Sequence, residues 1–152
     1  MSPVFDMERL GELFGHDVVH DETQSSVTLR HRFSDEAFLK GHFPGFPVIP
    51  GVILLDGMIL AGLHAVGRQE ALGASPVAAV EVTSVAFNRP VTPGPKVTFA
   101  ARLQAPGSPV DRMEAKASVM VDGARHARAS FIFFTRRHRA LIQRGTSHDH
   151  DA

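Results

Sequence analysis

Hydrophobic and polar positions alternate along this chain in two periods, and the change of period divides it. Met7, Leu10, Leu13 and Phe14 recur at helical spacing, so a short amphipathic helix is expected over Asp6 to Phe14, with Gly15 as its stop. Val18 to Thr23 and Ser25 to Phe33 read as two strands joined by a tight polar turn. In the second, Val27, Leu29 and His31 alternate with Thr28, Arg30 and Arg32. Ser34-Asp35-Glu36 is a fair helix start, giving a turn or two before Gly41. From Val52 to about Arg68 the chain is apolar almost all round, which predicts one helix buried on most faces. Gly57, Gly62 and Gly67 interrupt it every fifth residue, where they would permit close backbone approach at some cost in helix stability.

Period two takes over afterwards. Val77 to Asn88 is long and β-branched, and its inward phase shifts near Thr83-Ser84, so a bulge is expected there. A turn with three prolines covers Arg89 to Pro95. Val97, Phe99, Ala101 and Leu103 then alternate cleanly. After a loop over Ala105 to Pro109, Met113, Ala115, Ala117, Val119 and Val121 alternate up to Asp122-Gly123, a hairpin signal. Ala127, Ala129, Phe131 and Phe133 mark the last strand. One buried helix with six strands around it implies an α+β domain, an antiparallel sheet wrapped around one long central helix. A single domain over 1–135 is expected, followed by a basic, then His- and Asp-rich tail over 136–152 that reads as disordered.

Composition narrows the classes. The 152 residues carry 16 basic and 16 acidic side chains, so net charge points to neither nucleic acid nor membrane. No cysteine is present, which excludes thiolate chemistry and Cys-ligated zinc. The N-terminus lacks a basic start followed by an apolar run, and Val52 to Val66 reads as too short and too interrupted to cross a bilayer, so a cytoplasmic protein is expected. His148, Asp149 and His150 read as a solvated tail, and neither a metal nor a cofactor is expected.

The stretch Gly41-His42-Phe43-Pro44-Gly45-Phe46-Pro47-Val48-Ile49-Pro50-Gly51 carries the chemistry. Its prolines fix φ and push their predecessors into extended geometry, so it should be a stiff loop leading into the helix. A helix N-terminus at the end of such a loop presents unpaired N–H groups suited to a carbonyl oxygen gaining negative charge. His42 has an ordinary pKa near neutrality and suits a general base. Alone it would be read as a loop histidine bonded to backbone. Asp56 sits among Ile53, Leu55, Ile59 and Leu60, where its carboxyl should hold a proton and need a polar contact or water beside it.

This segment resembles the active-site motif of the β-hydroxyacyl-[acyl-carrier-protein] dehydratases, the FabZ/FabA family: a His-Phe-Pro loop, a second proline, Pro-Gly-Val, and an acid fourteen positions after the histidine, here Asp56 after His42. The acid is Asp, as in FabA types, while the length is closer to FabZ. Val85 to Gly94 is similar to the family's strand ending in a Pro-Val-x-Pro-Gly turn, and Met113 to Phe134 to its closing hairpin. Two departures stand out. No His-Arg-x-Pro-Phe-Leu segment precedes the motif, and Leu60 occupies the place where many members carry Gln.

The resemblance implies a hotdog fold and a lyase dehydrating (3R)-3-hydroxyacyl-[acyl-carrier-protein] to the trans-2-enoyl product in fatty-acid or related lipid biosynthesis. It makes His42 and Asp56 catalytic and the N–H groups of Val48 and Gly51 the binders of the thioester oxygen. Ile53 would line the acyl site, and Phe46 would either line or gate it or pack against the sheet. It also implies an acyl carrier protein as partner and a homodimer or higher even oligomer, because in the family the histidine and the acid of one site come from different subunits. An acyl-CoA hydratase, a hotdog thioesterase and a non-catalytic acyl-binding subunit are the alternatives.

Overall fold

The computed structural model describes residues 11, 12, 14, 17–34, 45, 47–70, 77–104 and 111–135. Two strands, β1 (Asp17–Asp21) and β2 (Ser26–Arg32), precede the helix α1 (Gly51–Glu70). Four follow it: β3 (Val77–Phe87), β4 (Lys96–Leu103), β5 (Arg112–Val121) and β6 (Ala124–Thr135). They form one six-stranded sheet in the order β1-β2-β4-β5-β6-β3, antiparallel throughout. Helix α1 packs on one face, mainly across β2, β4 and β5. This is the expected α+β arrangement. Of the helix expected over Asp6 to Phe14, Gly11, Glu12 and Phe14 are described and helical. His42, Phe46, the short helix after Ser34, the loop from Ala105 and the tail lie outside the described residues.

The two periods account for the layers. Val97, Phe99, Ala101 and Leu103 on β4, and Met113, Ala115, Ala117, Val119 and Val121 on β5, all turn to the helix and are buried. Asp122 and Gly123 close the β5–β6 hairpin with φ of 49° and 78°, the twist a two-residue connection needs. The register of β3 against β6 slips between Val82 and Ser84. The extra residue, Thr83, keeps Val82 and Val85 on one face, as the phase change in the sequence indicates.

Helix and sheet meet closely because two glycines face two rings. A Cβ on Gly57 would stand 2.4 Å from the Phe99 ring, and one on Gly62 would stand 2.5 Å from the Phe133 ring. Both rings are fully buried. Nothing lies within 4 Å of the same point on Gly67, so only two of the three glycines serve close approach. By length and composition, Gly51–Gln69 is long and apolar enough to cross a membrane, which corrects the sequence expectation drawn on Val52 to Val66. Half of that window is buried within the fold, as suits the core helix of an α+β domain.

The turn Asn88 to Pro95 works as a clamp. Gly94 N–H donates to Phe33 O (3.0 Å) at the end of β2, and the Arg32 guanidinium donates to Gly94 O. Ile49 N–H donates to Val91 O (2.8 Å) just before α1. Val91 is fully buried. One turn therefore fixes both flanks of the segment that carries His42.

Candidate active site

Pro50 caps the helix from its backbone: its carbonyl accepts from Ile53 N–H (3.0 Å) and Leu54 N–H (3.3 Å). Gly51 is the first helical residue, so its own N–H has no partner within the helix. Val48 and Gly51 share a shallow groove walled by Leu54, Phe87 and Arg89. The Phe87 ring lies over Gly51, with Cζ 3.1 Å from where a Cβ would stand. Any side chain at 51 would have to displace that ring. In sequence, Val85 to Gly94 signals only the fold. The structure makes Phe87 to Val91 a wall of the groove, a role that no local pattern signals.

Asp56 lies five residues further along α1, about 7.5 Å of helix rise. Its neighbours one turn away are Val52, Ile53, Ile59 and Leu60. The carboxyl is half-buried, and desolvation pushes its pKa above the usual carboxylate value. The polar contact expected beside it is not found among the described residues. Leu60, in the place of the family Gln, is fully buried, so the nearest helical neighbour on that side is hydrocarbon. Ile53 is partly buried at the margin of the core.

The sequence predicts a helix buried on most faces, but the side bearing Asp56 is left partly open: Val52 is 68% exposed, and Ile53, Leu55 and Ile59 are half-buried. The sheet covers the opposite side, and α1 barely reaches β3. For the same reason Val82, Val85 and Phe87 of β3 point toward the helix side but stay exposed, Phe87 at 49%.

A second cavity, of about 230 Å³, lies at the far end of α1 against the β1–β2 hairpin, lined by His20, Glu22 and Arg68 among others. His20 packs edge-on against His64 (6.2 Å between centroids), and its buried Nδ1 has no partner among the described residues. Burial first, and the Arg68 charge second, hold its pKa below 6.5. This cavity shares no lining residue with the groove at Gly51.

Comparison with known proteins decides the lineage. Residues 19–124 match the family model described as ApeI-like, ApeI dehydratase. The chain belongs to the ApeI-like dehydratase family. A relative of this ApeI-like chain from Rhizobium rhizogenes, named 3-hydroxyacyl-[acyl-carrier-protein] dehydratase FabZ, is 32% identical over 79 residues, 52% of this chain. That match spans only half of the relative's own length. The equally named protein of Staphylococcus carnosus is 27% identical over 128 residues, covering 78% of this chain and 88% of the relative.

Among solved structures, the Escherichia coli PaaI protein from the phenylacetic acid degradation operon superposes with a TM-score of 0.64 at 16% identity, over 84% of this chain and 88% of that one. The dehydratase heterocomplex ApeI:P of Xenorhabdus doucetiae gives 0.54 at 17% identity, over 76% and 92%. At these identities the likeness establishes the fold alone, and the ApeI-like chain has the hotdog fold.

Proposed function

We propose that this protein is a hydro-lyase that removes water from a (3R)-3-hydroxyacyl thioester carried on an acyl carrier protein. The observation that carries the reading is Asp56, a half-buried carboxyl on an apolar helix whose desolvation favours the protonated form. His42 takes the proton from C2, and Asp56 gives its proton to the C3 hydroxyl. The C3–O bond breaks, the C2–C3 double bond forms, and water leaves. The N–H groups of Gly51 and Val48 stabilise negative charge on the thioester oxygen as it develops. Ile53 and Phe46 contribute apolar surface for the acyl chain.

Each site takes His42 from one subunit and Asp56 from the other. In support, the open side of α1 and the exposed apolar residues of β3 are what a second hotdog chain would cover. The FabZ-named relatives point to the same substrate class and to fatty-acid or related lipid synthesis.

Purified His42→Ala and Asp56→Asn proteins should each lose about 10²–10⁴-fold of dehydration rate while keeping the wild-type circular dichroism spectrum. Mixing the two inactive chains should restore part of the rate, because some mixed dimers hold one intact site. Full activity in either single variant removes that residue from the mechanism. Release of free acid in place of an enoyl thioester replaces the lyase reading with that of a thioesterase.

A further inference from the structure

Strand β6 carries one residue more than β5 can pair. Its ladder with β5 joins Val121 to Ala124 and Met120 to Arg125, passes over His126, and resumes with Val119 against Ala127. The extra residue of such a bulge is left unpaired on that side, and its side chain is re-aimed. His126 uses both freedoms toward the chain that follows β3. Its carbonyl accepts from Asn88 N–H (2.8 Å) and Arg89 N–H (3.1 Å), just beyond the last β3–β6 pair, Phe87 and Ala127. Its ring nitrogen Nδ1 stands 3.0 Å from Pro90 O. A carbonyl only accepts, so Nδ1 carries the proton and donates. One half-buried residue therefore holds Asn88, Arg89 and Pro90 in place.

Those residues wall the groove that contains Gly51, while His126 itself lines no part of it. The next residue, Val91, is fully buried, and its carbonyl accepts from Ile49 N–H (2.8 Å). Ile49 is buried as well, and only Pro50, with its fixed φ, separates it from Gly51. The path from the His126 ring to the Gly51 N–H thus runs through two hydrogen bonds, a buried contact and a proline. The last ladder pair beside the bulge also sets Phe87, whose ring lies on Gly51. The bulge therefore governs both the donor and the ring above it. The sheet itself does not need the His126 ring, because β6 is paired with β5 on one side and β3 on the other over most of its length.

We infer that His126 is a positioning residue: its Nδ1–H, acting through Pro90 and Val91, holds the Gly51 N–H where that group meets the thioester oxygen. The inference rests on the role proposed above for the Gly51 N–H. Charge grows on that oxygen only as the reaction proceeds, so a displaced donor costs transition-state stabilisation and leaves ground-state binding alone.

The test compares wild type with His126→Leu, which keeps bulk and loses the donor, and with His126→Asn, whose amide N–H replaces Nδ1–H. Circular dichroism and a thermal melt check the fold, and His126→Ala takes the place of the Leu variant if that one is unfolded. On a 3-hydroxyacyl thioester of pantetheine, kcat of the Leu variant should fall roughly tenfold or more with KM unchanged, and the Asn variant should recover most of the loss. Single turnovers with enzyme in excess should show the same fall in rate constant, because they read only the active molecules. A merely structural role would lower the melting temperature and the active fraction and leave that rate constant alone. An unchanged single-turnover rate in the Leu variant, or equal losses in the Leu and Asn variants, overturns the inference. Amide hydrogen exchange at Ile49 reads the linkage without any reaction. It should quicken in the Leu variant and return toward the wild-type rate in the Asn variant. If wild type dehydrates no hydroxyacyl thioester, the lyase reading fails and this exchange alone decides; equal exchange in all three proteins overturns the positioning by His126 in either case.

Discussion

Asp56 shows how a single residue is tuned by what surrounds it. Its carboxyl has apolar neighbours one turn away in both directions and no hydrogen bond from a described residue, and burial raises its pKa above the ordinary 3.8. A carboxyl raised in the folded state binds its proton more tightly there than in the unfolded chain. Its contribution to stability is full below the unfolded value and is lost as pH rises through the folded one. Asn carries no such titration. The Asp56→Asn protein should therefore melt at nearly the wild-type temperature near pH 4 and above it at pH 8. A series of melts across that range checks the prediction. A gap that does not change with pH would mean that the carboxyl is not desolvated. The same substitution removes the proposed acid, so stability and activity should move in opposite directions.

At the scale of the element, α1 depends on absent side chains as much as on present ones. Gly57 and Gly62 accept the Phe99 and Phe133 rings, and both rings are too enclosed to retreat. Gly57→Ala and Gly62→Ala should each destabilise the protein by about 1–3 kcal/mol, the usual range for overpacking. Gly67→Ala meets open space and gains helix propensity, so it should stabilise by up to about 1 kcal/mol. Urea melts of the three variants check the signs. Three glycines that look equivalent in sequence are expected to split two against one. Loss of stability at position 67 would show that its surroundings are closed in solution. The Asn88 to Pro95 turn belongs to this scale as well. By holding Phe33 and Ile49 it sets how far apart the flanks of the His42 segment stand.

The whole molecule has an uneven covering. Helix α1 shields the middle of the sheet, while β3 lies at its edge with Val82, Val85 and Phe87 exposed, and Val52 stands open on the helix. Apolar side chains and an unpaired strand edge on one side of a domain favour association. Val85→Glu should leave the monomer folded, since the position is 42% exposed in the single chain. It should nonetheless lower the fraction of the proposed dimer in light scattering and lower activity in parallel, because each site as proposed draws on two chains. A Val85→Glu protein that stays dimeric and fully active would place the subunit contact elsewhere.

How much of this was legible before the fold was known follows from the range of the interactions involved. The period-two alternation of β4, β5 and β6, the bulge at Thr83, the Asp122-Gly123 turn and the extent of α1 are short-range facts. They depend on which side chains recur within a few residues, so the order of residues alone specifies them. That order also specifies the spacing from His42 to Asp56 and, through the apolar run around Asp56, the direction of that carboxyl's shift. Other features depend on residues far apart in the chain, which only the tertiary structure brings together. The strand order sends β3 to the edge, so residues with an inward phase remain exposed. Packing decides that Phe99 and Phe133 meet Gly57 and Gly62 while nothing meets Gly67. Cross-strand register sets Arg102 directly opposite Lys116, a pairing that the sequence separation does not reveal. The Val91 carbonyl, accepting from Ile49 N–H, and the Gly94 N–H, donating to Phe33 O, tie a turn after β3 to both flanks of a segment some fifty residues earlier. Local periodicity carries no information about such partners, because the free energy that selects them comes from contacts across the whole fold.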